Sequence, residues 1–231
     1  MSDQSKKHPL QDYSETEKVA YLSLLASICY VDRDFSEEER KQLDLILDEL
    51  NISDEGRGKI YSSTFTLRDE DKDGNILTIN ELKSTDLKFT LISDLCLMAV
   101  SDSNFSDDEY NYIINLAEKF EINKEQVDAI KSVQENLYKI KDIPSNSEKA
   151  KQIIKETTSK LAGAGVPIAA IAASGTVFGL SGAGITSGLA ALGALVGGGM
   201  VAGVVVVIPA LAFGATYGVK KLLDVVWKDK K

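Results

Sequence analysis

The sequence predicts an all-α protein, a pseudo-repeat helical bundle followed by a glycine-zipper transmembrane helical hairpin. Apolar residues recur at helical spacing behind Ser-x-x-Glu capping boxes, which open helices. A second copy of this pattern follows at an offset of 70 residues. Residues 161–219 contain no charged side chain, and this run is long enough for two passages of about 20 residues across a bilayer. No segment has the alternating pattern of a strand.

Charge divides the chain into two unlike parts. Residues 1–150 carry 18 basic and 32 acidic side chains, whereas residues 151–231 carry 8 basic and 3 acidic ones. Because binding to a phosphate backbone requires clustered Lys and Arg, the acidic part argues against a nucleic-acid partner. The charge-free run has basic flanks, Lys160 before it and Lys220 with Lys221 after it, which suit an anionic lipid surface.

Side chains suited to catalysis are scarce. His8 is the only histidine, and it lies in a polar segment, residues 1–13, that we expect to be a flexible tail. Cys29 and Cys96 lie in apolar helical patterns and are predicted to be buried thiols in a reduced compartment. The bare Gly-x-Gly pairs of the glycine-rich run lack a P-loop lysine and a preceding strand. No nucleophile can be paired with a base, so we expect a protein that is not an enzyme.

The acidic helical domain is predicted to span residues 14–140. Its helices are marked in chain order by their N-caps, which are Ser14 with Glu17, Ser36 with Glu39, Ser53, Ser106 with Glu109, and Asn123 with Gln126. Thr78 with Glu81 is a further capping box, and it predicts a helix that carries Leu82, Leu87 and Leu91.

Two copies of one pattern align within this domain without a gap. The matched positions, first copy and then second, are Asp32 with Asp102, Phe35 with Phe105, Ser36 with Ser106, Glu39 with Glu109, Ile46 with Leu116, Leu50 with Phe120 and Ile52 with Ile122. The domain is therefore predicted to consist of two related helical pairs.

The repeated pattern is an apolar helix ending in Asp, a short turn with an aromatic residue, and then Ser-x-x-Glu. Over residues 14–138 it resembles the tellurite-resistance TerB-like domain family. The resemblance implies a compact helical bundle with pseudo-twofold repeats. It also implies a metal-binding face made of acidic turn residues, here Asp32, Glu39, Asp102 and Glu109. Both turns lack the glycine that commonly follows the Asp, and they have Arg33 and Ser103 there instead.

Two interpretations of these acidic residues remain open. The four carboxylates, brought together by pseudosymmetry, supply enough oxygens for a hard divalent cation such as Ca²⁺. Alternatively, Glu39 and Glu109 only complete capping boxes, and Asp32 and Asp102 only terminate helices. The capping role is compatible with both interpretations.

A second candidate for Ca²⁺ lies between the two copies. Asp69, Asp71 and Asp73, followed by Gly74, match the opening of an EF-hand loop. The position of the bidentate Glu holds Asn80, and Glu81 comes one residue late. The alternative is an acidic turn before a helix.

Residues 141–160 are predicted to be a linker and an amphipathic helix. The segment 142–147 breaks the helical pattern and supplies caps. The helix after it carries Ala150, Ile153, Ile154 and Leu161 on one side. That side either lies on a membrane surface or belongs to a plain connector.

The charge-free run, residues 161–219, is predicted to be a membrane hairpin that self-associates. It holds 14 of the chain's 17 glycines, and small residues four apart let helices approach closely in a bilayer. We expect spans of 166–186 and 190–213 in the inner (cytoplasmic) membrane, with both ends and a basic tail at 220–231 in the cytoplasm. The small-residue pairs are Gly175 with Gly179, Gly184 with Gly188, Gly193 with Gly197, Gly199 with Gly203, and Gly214 with Gly218.

Three stretches of the run, 166–168, 178–187 and 197–203, are similar to the small interferon-alpha-inducible membrane-protein family. The resemblance implies insertion into organellar membranes and a link to cell death and antiviral responses. The alternative is a generic glycine-zipper hairpin.

Two functions follow from these features. In the first, the protein is a membrane effector in stress or defence: the acidic domain senses a signal or a protein partner, and the hairpin inserts, oligomerises and perturbs a membrane. In the second, it is a non-toxic membrane-tethered scaffold or metal-binding module in the tellurite or stress response. The hairpin of the effector is either resident in the bilayer or buried in protein until a trigger releases it.

Overall fold

The structure is a computed structural model, and it describes residues 10–28, 37–66, 79–101, 105–139, 143 and 147–174. None of these residues lies in a strand, so the all-α prediction is confirmed for this part of the chain. The predicted glycine-rich hairpin after Ser174 and the basic tail lie outside the described residues. The helices are α1 (Glu15–Ala26), α2 (Glu37–Glu49), α3 (Asp54–Thr66), α4 (Thr85–Ser101), α5 (Asp107–Lys119), α6 (Lys124–Lys139), α7 (Glu148–Gly163) and α8 (Ile168–Ala173).

The 70-residue repeat is a three-helix repeat. Helices α1, α2 and α3 begin 70 residues before α4, α5 and α6 respectively, and α2 and α5 are both 13 residues long. The sequence predicted related helical pairs, and the structure extends each copy by a third helix. A common offset over all three elements indicates one repeated unit.

The turn that follows the second helix is the same in both repeats. Asn51 and Glu121 have positive φ angles of 52° and 62°. Ile52 and Ile122 then each donate their backbone N–H to a carbonyl five residues earlier, at 3.0 and 2.9 Å. A residue in the left-handed conformation followed by such a hydrogen bond ends a helix. The third helix of each repeat can therefore begin directly after this turn.

Most of the predicted N-caps are present. Ser14 and Ser106 form complete capping boxes with the Glu three residues later. The side-chain oxygens of Ser53, Asn123 and Ser147 each accept a backbone N–H from three residues later, at 3.0 to 3.2 Å. The predicted box of Ser36 with Glu39 involves side chains outside those that the structure describes.

The helix predicted to carry Leu82, Leu87 and Leu91 is interrupted before Thr85, and its predicted cap Thr78 lies outside the described residues. Residues 79–81 are helical, and the N–H of Leu82 donates to the carbonyl of Ile79 at 3.2 Å. Helix α4 begins at Thr85, and Ser84 Oγ caps it by accepting the N–H of Leu87 at 3.3 Å. Ser84 lies at the position of its repeat that Ser14 occupies in the first repeat. The first helix of each repeat is therefore capped by a serine at the same position.

One apolar core runs through both repeats and continues into α7 and α8. Between the repeats, Tyr21 of α1 donates its hydroxyl to Asp94 Oδ2 of α4 at 2.6 Å, and both side chains are buried. Cys96 is a buried free thiol, and burial raises its pKa to about 12. Leu10, which was predicted to lie in the flexible tail, is only 1 % exposed and belongs to the core.

Candidate functional site

The acidic residues predicted to bind a cation are mostly outside the part of the chain that the structure describes. Glu39 lies in α2, but its side chain is not among the described ones. The candidates that lie wholly outside the described residues are Asp32, Asp69, Asp71, Asp73 and Asp102.

Glu109 is the acidic candidate whose side chain is described. It is 2 % exposed, and its Oε2 accepts from the backbone N–H of Ser106 at 2.8 Å and from Ser106 Oγ at 3.0 Å. Ser106 Oγ in turn accepts the N–H of Glu109 at 3.2 Å, which completes the capping box. Among the described side chains, no three of the types His, Cys, Asp or Glu are grouped so as to hold a metal ion.

A buried polar cluster joins α4, α6 and the end of α8. Its members are Ser93, Gln134 and Ser174, each 0 % exposed, and we call it the serine–glutamine cluster. Gln134 Nε2 donates to Ser93 Oγ at 2.7 Å and to Ser174 Oγ at 3.1 Å. Ser93 Oγ donates to Ser174 Oγ at 3.0 Å, and Ser174 Oγ donates to the carbonyl of Ile171 at 2.8 Å. The cluster therefore ties α8 to two helices of the second repeat.

One polar atom of this cluster has no hydrogen-bond partner among the described residues. Both hydroxyl hydrogens and the Gln134 amide group are used as donors within it. Gln134 Oε1 is buried and has no donor among the described residues. A buried acceptor without a donor costs about 1–3 kcal/mol. The cluster therefore holds α8 in a specific position, but the unpaired oxygen lowers the stability of the docked state.

Further contacts anchor the start of the charge-free run. Thr90 Oγ1 of α4 lies 3.0 Å from the carbonyl oxygen of Ala170 and 2.9 Å from that of Asp86, and these two acceptors share its one hydrogen. Val166 and Ile171 are 4 % and 0 % exposed. The chain enters α8 through a turn in which Gly165 has a φ of +69°, a conformation that favours glycine. One side of this segment, formed by Val166, Ala170, Ile171 and Ser174, is therefore buried against protein, while residues 167–169 and Ala172 are partly exposed.

Of the predicted first membrane span, 166–186, only residues 166–174 are among the described ones. Helix α8 has only six residues and ends at Ala173, and Ser174 is extended, with φ −67° and ψ 162°. Within the described residues, no helix combines the length and hydropathy needed to cross a membrane.

The predicted self-association of the hairpin concerns glycines that all follow Ser174. Their close packing against one another therefore stays a prediction. The glycines of this set, all outside the described residues, are Gly175, Gly179, Gly184, Gly188, Gly193, Gly197, Gly199, Gly203, Gly214 and Gly218.

Helix α7 packs against α6, although its apolar side was predicted to face a membrane surface or to belong to a connector. Ala150, Ile154 and Leu161 are 1 %, 5 % and 0 % exposed, and all three belong to the common core. The apolar side of this amphipathic helix is therefore covered by protein. Its exposed side carries four lysines, Lys149, Lys151, Lys155 and Lys160.

Sequence reasoning missed Thr90, Ser93 and Gln134. A signal was present in the pattern of α6, because Gln134 lies between Ile130 and Leu137 on the same buried side. A polar residue inside an apolar stripe needs a partner, and that partner was 40 residues away in sequence, at Ser174.

These features define an all-helical repeat module, two three-helix units whose core extends into two further helices. Residues 18–132 match the model of the family described as Tellurite resistance protein TerB. The chain therefore contains a TerB-like helical domain, and the match indicates a module of tellurite resistance or stress response. The matched region starts in α1 and ends in α6, so α7 and α8 lie beyond it. No curated protein and no solved structure matches the chain.

Proposed function

We propose that this protein is a stress or defence effector whose TerB-like domain controls a C-terminal segment that acts on a membrane. The observation that carries the proposal is that Val166, Ala170, Ile171 and Ser174, near the start of the charge-free run, are buried, and that Ala170 and Ser174 are hydrogen-bonded to side chains of α4. A domain that binds the first residues of its own apolar segment is in a position to determine when that segment becomes available.

The composition of the run supports the membrane as its target. In a bilayer a segment without charges has none to desolvate, and its glycines allow close helix contacts through which copies oligomerise. The lysines on either side of it favour anionic lipid headgroups. Because basic flanks of membrane segments tend to stay in the cytoplasm, these lysines also favour the inner membrane with both ends in the cytoplasm.

Fractionation with an alkaline carbonate wash tests the association with membranes, and leakage of dye from anionic vesicles tests its effect. We expect the full chain to remain in the washed membrane fraction and to release dye. The double variant Gly199→Leu with Gly203→Leu is expected to release less dye. Gly163→Leu is the matched control, because a side chain at this position in α7 meets open space. A full chain that neither partitions nor causes leakage contradicts the proposal.

A second candidate function is a membrane-tethered scaffold that binds a divalent cation and a protein partner at its acidic turns. It is favoured by the common offset of the two repeats, which gives Asp32 and Asp102 equivalent positions before α2 and α5. Calorimetry with Ca²⁺ tests the cation site in Asp32→Asn, Asp102→Asn and Asp73→Asn, with Asp54→Asn as a control at an exposed helix N-terminus. Unchanged affinity in the first three variants removes the cation from this function.

A further inference from the structure

We propose that α8 is a releasable latch: it leaves its site on α4 while α7 stays in place, and its release frees the charge-free run from α8 onward. The proposal rests on the proposed function for its purpose, because a controlled membrane segment needs a resting state. The opening itself is a property of the folded domain and can be measured without a membrane.

Within the described residues, α8 packs on α4 and on α7. Its six residues are too short to form a stable helix alone, so its conformation depends on what it packs against. It is held by the bond from Thr90 to the Ala170 carbonyl, by buried Ile171, and by Ser174 in the serine–glutamine cluster. Losing this small set of contacts together frees the element.

The surface under α8 is suited to being uncovered. Thr90, Ser93 and Gln134 present hydroxyl and amide groups toward the docked segment. When α8 leaves, water can satisfy these groups, including Gln134 Oε1, which has no donor among the described residues while α8 is docked. Exposing these polar groups costs less free energy than exposing apolar surface of the same area, whereas Ala170 and Ile171 of α8 leave the apolar core when the helix opens.

The connection between α7 and α8 allows one to move without the other. Helix α7 has 16 residues, is capped by Ser147, and is fixed to α6 by the burial of Ile154 and Leu161 and by a bond of 3.1 Å from Lys160 Nζ to Ser132 Oγ. The turn after it contains Gly165, whose backbone tolerates a wide range of φ. Rotation in this turn is enough to lift α8.

Two substitutions in the serine–glutamine cluster should have opposite effects on the stability of the docked α8. Gln134→Met keeps the unbranched shape and removes the unpartnered oxygen together with the amide donors to Ser93 Oγ and Ser174 Oγ, while the bonds from Ser93 to Ser174 and from Ser174 to the Ile171 carbonyl remain. It should tighten α8, because the cost of a buried unpaired acceptor exceeds the net gain of the one bond that it loses to Ser174. Ser174→Ala leaves the Ser93 hydroxyl without its acceptor and removes the bond to the Ile171 carbonyl, so it should loosen α8.

Hydrogen exchange of the full chain, followed by mass spectrometry of peptides from α7 and α8, measures the opening directly. Relative to the natural sequence, we expect exchange in residues 168–174 to be roughly tenfold slower in Gln134→Met and roughly tenfold faster in Ser174→Ala. Exchange in α7 should change much less. Ser27→Ala is the control, because Ser27 is an equally buried hydroxyl, bonded to the Leu24 carbonyl, in the first repeat.

The latch is overturned if α8 and α7 exchange together in every variant, since α8 then opens only when the domain unfolds. It is also overturned if Ser27→Ala accelerates α8 as selectively as Ser174→Ala does. Addition of anionic vesicles separates this proposal from the proposed function. Selective opening of α8 without vesicle binding supports the latch and contradicts the membrane role, whereas vesicle binding without selective opening of α8 contradicts the latch alone.

Discussion

At Gly56 the first turn of α3 approaches α1 so closely that no side chain fits. A Cβ atom there would lie 2.8 Å from Ile52 Cγ2 and 2.9 Å from Val19 Cγ2. We expect Gly56→Ala to lower the free energy of unfolding by about 1–3 kcal/mol, because the packed core must shift to admit the methyl group. Urea unfolding followed by circular dichroism measures the change.

Gly58, one half-turn later in the same helix, provides the control. A Cβ atom at Gly58 meets nothing within 4 Å. Gly58→Ala should therefore raise the free energy of unfolding by up to about 1 kcal/mol through helix propensity alone. If both alanine variants shift stability by the same amount and sign, the close approach at Gly56 does not constrain the fold.

Glu15 links the start of α1 to the start of α3 and should make stability depend on pH. Its Oε1 accepts the N–H of Ser53 at 3.0 Å, and the hydrogen bonds to Ser53 lower the pKa of this carboxyl below its ordinary value of 4.5. A carboxyl whose pKa is lowered by folding stabilises the fold above its unfolded pKa. This contribution is lost as the pH falls through the folded pKa.

The corresponding experiment compares Glu15→Gln with the natural sequence in urea at pH 7, 4.5 and 3. We expect the variant to be less stable at pH 7 and the difference to shrink as the pH falls below 4.5. Glu125→Gln, at an exposed position in α6, is the control for the loss of one surface charge. A difference that grows toward pH 3 would contradict the role assigned to Glu15.

At the scale of the element, the turns that close α2 and α5 carry a residue that is not glycine in a left-handed conformation. Asn51 adopts it at φ 52° and Glu121 at φ 62°. Because a β-carbon disfavours this region, Glu121→Gly should raise the free energy of unfolding by about 1 kcal/mol. Asn51→Gly should raise it less, since Asn tolerates the conformation better than Glu. Thermal unfolding of both variants checks the order, and a larger gain at Asn51 would refute it.

The two repeats also show a contact that alignment alone does not reveal. In the first repeat the Arg40 guanidinium lies 5.7 Å from the ring centroid of Tyr61, between α2 and α3. In the second, at the equivalent positions, Lys131 Nζ lies 4.8 Å from the ring centroid of Tyr110. The cation and the ring have exchanged places, so the cation–π contact is kept although neither position keeps its residue.

The sequence predicts those elements whose signals are local. Ser14, Ser106 and Asn123 begin helices because a side-chain oxygen three residues before a free N–H caps it, and such spacing is visible without a fold. The docking of α7 and α8 has no such signal. An apolar helix side is equally compatible with lipid and with protein, and the pairing of Ser93 with Ser174 joins residues 81 positions apart.

For the whole molecule, the folded unit is larger than the TerB-like domain. The family match ends at residue 132, yet buried residues of α7 and α8, among them Ile154, Leu161 and Ile171, belong to the same core as the two repeats. Burying one such side chain contributes about 1.5–3 kcal/mol. A chain that stops at Ser147 loses all three and uncovers the face of α6 on which α7 packs.

We therefore expect a chain ending at Ser174 to be more stable than one ending at Ser147 by on the order of 5 kcal/mol. The shorter chain should also aggregate, because its uncovered apolar surface is contiguous. Urea unfolding and light scattering of the two truncated proteins measure both effects. Equal stability would mean that α7 and α8 are peripheral, in which case the two repeats alone form the folded unit and burial of residues 166–174 does not restrain the charge-free run.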